Sequence, residues 1–366
     1  MTVFVVNSGS SSIKWELVDA AAGETLRGGI VERIGEGGST HADAMASILA
    51  ELGDAKPVAV GHRVVHGGSV FREATLVTDE VERQIDELSA LAPLHNPANL
   101  AGIRAARAAF PGVPNVAVFD TAFHQSLTPA AYTYAIDAEV AKQHGVRRYG
   151  FHGTSYRYVS GLAAELLGKP DAKLIVFHLG NGASVCAIDS GRSVDTSMGM
   201  TPLEGLVMGT RSGDIDPGAL FHLGRAGLSL DELDALLNRH SGLLGLTGRG
   251  DMRDVQDSAE AGDSAAQAAL DVYHHRLRHY LGAYLVLLGG ADAIVFTAGV
   301  GENSPMTRAA TVQGLEGFGV VLDAAANAQR ATGARIVSSA GSAVKVLVVP
   351  TNEELEIARQ AVALLG

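Results

Sequence analysis

Cysteine is almost absent from this chain. Cys186 is the sole one in 366 residues, which excludes an internal disulfide and any cysteine-based zinc site. It lies in an apolar run and reads as a small buried hydrophobe in preference to a reactive thiol; a reducing, cytoplasmic setting is expected. Basic residues are in deficit, 28 Lys and Arg against 40 Asp and Glu, for a net charge of −12. Such a chain lacks the clustered cations that a nucleic-acid backbone demands, so basic side chains gathered at one place would serve a small anion. No apolar run reaches the roughly 18–20 residues of a membrane span. No basic region precedes the first apolar run, so neither a membrane partner nor a secretory signal is expected. A Walker A sequence and a complete GxGxxG are also missing, which disfavours P-loop and Rossmann folds. With 47% hydrophobic and 19% charged residues, the composition suits two soluble domains of ordinary size.

What is present begins at Val3–Val18, VFVVNSGSSSIKWELV. An apolar run, a Gly/Ser turn from Asn7 to Ser12 and a second run around Trp15 and Leu17 read as a strand, a tight turn and a returning strand. Small side chains in the turn let backbone N–H groups approach an oxyanion, and Asn7, Ser10, Ser12 and Lys14 add donors. Taken alone, an ordinary hairpin with a solvated tip fits equally. The pattern recurs at Leu174–Ile188, LIVFHLGNGASVCAI, where Ser184 falls on Ser12 and Val185 on Ile13 at a displacement of 172 residues. The chain therefore reads as a duplicated unit. Two hairpin-led α/β halves, each with a phosphate-sized turn, resemble the acetate and sugar kinase, Hsp70 and actin superfamily. That resemblance implies a duplicated actin-like, ribonuclease H-like fold with an active-site cleft between two domains.

Between the hairpins, Val58–Val65 is expected as a strand ending in His62, Arg63 and His66 beside Gly67 and Gly68. Arg63 at a strand end is a candidate anion ligand, while either histidine could equally be a structural hydrogen-bonder. Helices are expected at Ala42–Leu52, Val81–Leu91 and Ala98–Ala109. A strand then ends at Asp120, a carboxylate that could also be a helix cap. His152, ahead of a small-residue turn, is open in the same way. Asp195–Gly218 is too glycine-rich for a helix and too irregular for strands, hence an ordered functional loop, and Arg211 within it is a second anion-ligand candidate. The DIDPG run at Asp214 lacks the glycine and terminal glutamate of a calcium loop. Helices follow from Ser229 to Leu288, interrupted by LLGLTGRGDMRD, with His274, His275 and His279 expected on a surface. Ala293–Ser304 reads as a buried strand entering a Gly-rich turn suited to a nucleoside. Val346–Val349 is the last strand; Thr351 and Glu354 form an expected capping box, and Glu354–Leu365 the closing helix.

NSGSSSIK, GHRVVHGG, HNP, FDTAFHQ, RRYGFHGTS, HLGNGAS, DTSMGMTPLEGLVMGTRSGDIDPG, GVGENS and TNEE occur in this order along essentially the whole chain. In this they resemble the acetate kinase family. The resemblance implies phosphoryl transfer between ATP and acetate, with ADP and acetyl phosphate as the other pair. Arg63 and Arg211 would hold the carboxylate and the transferring phosphoryl, His152 would steady the transition state, and Asp120 would be the active-site acid. Asn7 and Glu353 would hold Mg²⁺, with Mn²⁺ as a substitute. Lys14 and His178, Leu179, Gly180, Asn181 and Gly182 would contact phosphates. Asp251, Met252 and Arg253, with Gly299, Val300, Gly301, Glu302 and Asn303, would form the nucleoside pocket, and Val65, Leu94, Phe151 and Pro202 the pocket for the acetate methyl. A homodimer through the second half is implied. The implied domains are 1–120 completed by 355–366, and 121–354.

The chain departs from the family's pattern at Tyr156, where a histidine is usual, and in a shorter segment before Arg63. A propionate-preferring relative remains an alternative, because one methylene in an apolar pocket is worth only ~1–3 kcal/mol. A catalytically silent actin-like nucleotide switch is a third reading, for which the arginines and the magnesium carboxylate would have no purpose.

Overall fold

A computed structural model of the chain describes residues 1–9, 11–34, 39–53, 55–93 and 95–366. The chain divides into two units, Met1–Gln125 with Phe151–Tyr158 and Asn352–Gly366, and Ser126–Gly150 with Val159–Thr351. Phe151–Tyr158, expected from the sequence within the second domain, thus groups with the first unit.

The first unit is built on strands β1 (Thr2–Ser8), β2 (Ser12–Asp19), β3 (Glu24–Glu32), β4 (Ala59–Val64), β5 (Thr75–Leu76) and β6 (Asn115–Phe119), in the order β3-β2-β1-β4-β6-β5. β1, β4 and β6 are parallel, and the remaining pairings are antiparallel. Alternate side chains of β1 point to opposite faces, and both faces are apolar. Phe4 and Val6 pack with Trp15, Met45 and Ile48, under the helices His41–Leu52 and Asn96–Ala109. Val3 and Val5 pack with Val116, Leu355 and Ile357, under the closing helix Glu353–Leu365. Each such side chain taken from water contributes ~1.5–3 kcal/mol. The closing helix lies so near β4 that a Cβ on Gly61 would stand 2.6 Å from Ile357 Cγ2.

The second unit repeats this plan with β7 (Lys173–Leu179), β8 (Ala183–Asp189), β9 (Arg192–Thr196), β10 (Ala293–Thr297), β11 (Arg335–Ile336) and β12 (Lys345–Val348). Their order is β11-β12-β10-β7-β8-β9. β7, β10 and β12 are the parallel core, β8 and β9 the antiparallel meander, and β11 the antiparallel edge. Even the local irregularity recurs: β2 slips register against β3 at Leu17/Val18, and β8 against β9 at Ala187/Ile188. The duplication expected from the two hairpins is therefore a repeated sheet topology.

Several local expectations change. LLGLT is not a break but a short helix, Gly242–Thr247, ended by Gly248 in the left-handed region. The stretch after β10 is the helix Ala298–Asn303. The closing helix starts at Glu353 and is capped by Asn352, whose side chain accepts from Leu355 N at 2.9 Å; Thr351 is not the cap, and its N–H donates instead to Glu302 Oε1 at 3.2 Å. His274 is half-buried, its Nε2 lying 3.4 Å from Thr307 Oγ1, so it is not a surface group. Cys186 is fully buried, and burial drives its thiol pKa up, as befits a packing residue. No helix among the described residues is long and apolar enough to cross a membrane.

Candidate active site

Three adjacent parallel strands deliver their last residues to one end of the first sheet, where ligands of α/β sheets bind. β1 brings Asn7, β4 brings Arg63, and β6 leads into Asp120, whose N–H donates to Val64 O at 3.0 Å. The Arg63 guanidinium grips Asp120 with two bonds, Nε to Oδ1 at 3.1 Å and Nη2 to Oδ2 at 2.6 Å. Nη1 donates to Asn7 Oδ1 at 3.4 Å, and Glu353 Oε2 lies 3.8 Å from Nε. Burial opposes the Arg63 charge, but the charges of Asp120 and Glu353 outweigh it and hold its pKa above the ordinary value. Burial raises Glu353 to about 7, with Asp120 and Glu354 adding to the rise and Arg63 opposing it. Lys14 donates to Glu354 Oε1 at 2.5 Å and lies 3.2 Å from Glu16 Oε1, so its ammonium is already engaged by acids.

The surrounding groups hold this cluster in place. Asn99 Oδ1 accepts from Val65 N at 3.0 Å, and its Nδ2 donates to Ser8 O at 2.6 Å, tying the ends of β1 and β4 together. His62 is buried on Asn115 Oδ1 at 2.8 Å, and burial lowers its pKa to about 4; it is a neutral structural group. His66 Nδ1 accepts from Gly68 N at 3.0 Å. His152 sits at φ 57°, a left-handed conformation rare for a non-glycine residue, which marks backbone held by its surroundings. Next to it, a Cβ on Gly153 would stand 2.3 Å from Asp120 O, so glycine is required there. Phe151 is 2% exposed and Val65 7%, both apolar neighbours of these polar groups in sequence. Leu94 and Ser10 lie outside the described residues.

In the second unit, the turn after β7 and the helix after β10 stand side by side, because β7 and β10 pair to Thr297↔His178. Ala298, at φ 64°, makes the abrupt passage from strand to helix. Here lies a cavity of about 1060 Å³. Gly180 and Asn181, then Asp251, Met252 and Arg253, then Gly299, Val300, Glu302 and Asn303 line it. His178 and Leu179 are buried in the strand, and Gly301 is buried in the helix; with Gly182, they are not among the lining residues. Asp251 caps the helix Met252–Glu260 and binds Arg253 through Nε at 3.0 Å and Nη2 at 2.6 Å; those bonds hold its carboxyl down at about 2.

Arg211 differs from Arg63. It is largely buried, donates from Nη1 to Pro202 O at 3.1 Å, and forms no ion pair among the described residues. Burial alone lowers its pKa. A desolvated guanidinium lacking a carboxylate is prepared for an anion.

Residues to which the sequence assigns no role hold the loop carrying Arg211. Arg148 donates from Nη1 to the carbonyls of Thr196, Ser197 and Met198 at 3.0, 3.1 and 3.0 Å, and from Nη2 to Glu204 Oε1 at 2.6 Å. Tyr134 donates its hydroxyl to Glu204 and accepts from Met200 N at 3.2 Å. Asp214 accepts from Gly205 N at 2.8 Å and Tyr280 OH at 2.9 Å, and pairs with Arg276 at 2.7 Å; it is a loop staple. Arg308, 1% exposed, donates to Asn327 Oδ1 at 2.7 Å and to the carbonyls of Gly301 and Glu302 at 2.9 Å, fixing the helix at the cavity wall. Burial, with Arg335 nearby, lowers its pKa to about 10. The one signal for Arg148 in the sequence is its place in RRYGFHGTS, four residues ahead of His152.

Among the described residues no three His, Cys, Asp or Glu side chains converge as a metal cage. The oxygen donors near Arg63 are few and hard, an amide and carboxylates. That set suits Mg²⁺, which keeps water and relies on one or two carboxylates together with substrate phosphates.

The family model described as the acetokinase family matches residues 40–359. An acetate kinase of Leifsonia xyli subsp. xyli is 64% identical, with 98% of each chain covered. A crystal structure of Porphyromonas gingivalis acetate kinase superposes at a TM-score of 0.96 with 41% identity over all of both chains. A propionate kinase from Francisella tularensis does so at 0.94 with 39% identity over 99% of each. The likeness runs over the full length of the chain, and the chain belongs to the acetokinase family.

Proposed function

We propose that the protein is an acetate kinase, which reversibly transfers the γ-phosphoryl group of ATP to acetate and releases acetyl phosphate and ADP. The observation that carries this reading is the Arg63 guanidinium, fixed by both oxygens of Asp120 beside Asn7 and Glu353. A cation whose orientation is set in advance, among hard oxygen donors, suits a reaction that joins two anions.

Acetate is ionised at neutral pH, so its oxygen attacks without a base. The bond from that oxygen to the γ-phosphorus forms as the bond to the β–γ bridging oxygen breaks, and the electron pair leaves with ADP. No proton moves, so Asp120 orients Arg63 and does not act as a base. Arg63 takes the carboxylate, Arg211 the transferring phosphoryl, and His152 the charge of the transition state. Val65, Leu94, Phe151 and Pro202 take the methyl group. Asn7 and Glu353 would hold Mg²⁺, or Mn²⁺ in its place, and the ion supplies neutralisation of phosphate charge. Of the phosphate contacts, Lys14 must exchange Glu354 for phosphate to act. The nucleoside occupies the cavity of the second unit.

A cytoplasmic homodimer fits this reading.

Hydroxamate detection of acyl phosphate, with acetate, propionate and butyrate offered separately beside ATP and Mg²⁺, tests the proposal. Acetate should give the highest kcat/KM. Preference for propionate would move the protein to the propionate kinases of the same family, and no acyl phosphate from any acid would defeat the kinase reading.

A further inference from the structure

Two residues lining the cavity of the second unit keep a buried polar atom without a partner among the described residues, the Tyr273 hydroxyl and Arg335 Nε, and of the two only Arg335 is otherwise bonded, its Nη1 donating to Ala331 O at 3.1 Å and its Nη2 to Gln329 O at 3.5 Å. Tyr273 lines it from the helix Ser264–Leu288, is 2% exposed, and its hydroxyl has no hydrogen-bond partner among the described residues. Its neighbours on the same buried stripe, Leu270 and Leu277, are apolar. Phenylalanine would fill the same space without burying an unpaired hydroxyl, which is a costly thing to bury.

Several other polar side chains around the cavity are bonded within the protein. Gln256 Nε2 donates to Ser304 Oγ at 2.7 Å and Thr307 Oγ1 at 3.2 Å, and Ser304 donates to Thr307 at 3.0 Å. His274 reaches the same Thr307. Arg308 is spent on Asn327, Gly301 and Glu302. Burial raises the pKa of Tyr273, so the phenol stays neutral and can both donate and accept.

We infer that the Tyr273 hydroxyl is a nucleoside ligand, hydrogen-bonding the polar edge of the nucleoside that enters this cavity and thereby contributing to the choice of nucleotide. The inference rests on the nucleoside reading of the cavity proposed above. It makes Tyr273 a binding residue that does not touch the transferring phosphoryl group.

The test is calorimetric titration of the full chain and its Tyr273→Phe variant with adenosine, and separately with tripolyphosphate, which has no base or sugar. The variant should bind adenosine about three- to tenfold more weakly, as loss of one neutral hydrogen bond requires. It should bind tripolyphosphate unchanged and melt, without ligand, no lower than the parent. Unchanged adenosine affinity overturns the inference, and so does equal weakening for tripolyphosphate. A variant that melts lower or fails to fold also overturns it, because the hydroxyl would then serve the fold. If the parent chain binds no adenosine, the nucleoside reading falls as well; if the parent binds and the variant binds equally, this inference alone falls.

Discussion

Replacing Arg148 by methionine keeps most of the length of the side chain and removes everything that it bonds. Three carbonyls, of Thr196, Ser197 and Met198, lose their shared donor, and those residues are at most 1% exposed. Glu204 loses its ion pair and keeps only the Tyr134 hydroxyl. Breaking a fully buried pair from one side costs ~3–5 kcal/mol. Glu204 is 33% exposed, so water recovers part of this, while the orphaned carbonyls add to it; about 3 kcal/mol is expected. Glu204→Gln keeps the shape and an acceptor for Tyr134, and should cost about 1 kcal/mol. The two variants should be strongly coupled in a double-mutant cycle. Two units need not unfold together, so the readout is hydrogen exchange of amides in 195–205, alongside thermal unfolding. Turnover should fall too, because Pro202 O, within the stapled loop, orients Arg211. If Arg148→Met exchanges and melts within about 1 kcal/mol of the parent, the staple is not what holds the loop.

Asp120→Asn should cut kcat severely and, by leaving the Arg63 guanidinium to Glu353, the proposed metal ligand 3.8 Å away, raise the Mg²⁺ concentration needed for half-maximal rate. An unchanged Mg²⁺ dependence with a lost limb in the pH profile would make Asp120 a base in place of the group that orients Arg63. Gly153→Ala drives a Cβ to 2.3 Å from Asp120 O and 2.8 Å from Phe123 Cβ; a loss of about 2–3 kcal/mol and at least about tenfold in kcat is expected, and full activity at the parent's melting temperature would count against the close approach. Val65→Ala should shift relative kcat/KM toward propionate by up to about tenfold, measured with both acids under one condition; no shift would assign chain-length selection to another residue.

The legible parts of the chain were those in which local chemistry and period agree. The two hairpins announce themselves by alternating apolar runs around Gly/Ser turns, and the sheets built on them repeat strand for strand. Arg63 and Asp120 were readable as polar residues at the ends of apolar strands. That they form one bidentate pair was not, since parallel strands separated by a crossover carry no sequence mark of register. The LLGLT helix was hidden by its glycines, and the cap at Asn352 by a neighbouring threonine that looks as good. Arg148, Arg308, Asp214 and Tyr273 were illegible for a common reason. Their partners are backbone groups, side chains distant in sequence or nothing at all, and none of these leaves a pattern of spacing.

The first unit takes its final helix from the far end of the chain. Until Glu353–Leu365 emerges from the ribosome, the apolar face of Val3, Val5 and Val116 lacks its cover of Leu355 and Ile357, and Arg63 lacks Glu353. Synthesis at 5–20 residues per second spends roughly ten to fifty seconds between Gln125 and that helix. For this interval the nascent sheet presents an uncovered apolar face of the kind that chaperones bind, and a ribosome that stalls late releases a product with an uncovered sheet and an incomplete charge cluster. The earliest residues made are therefore the last to become a finished domain.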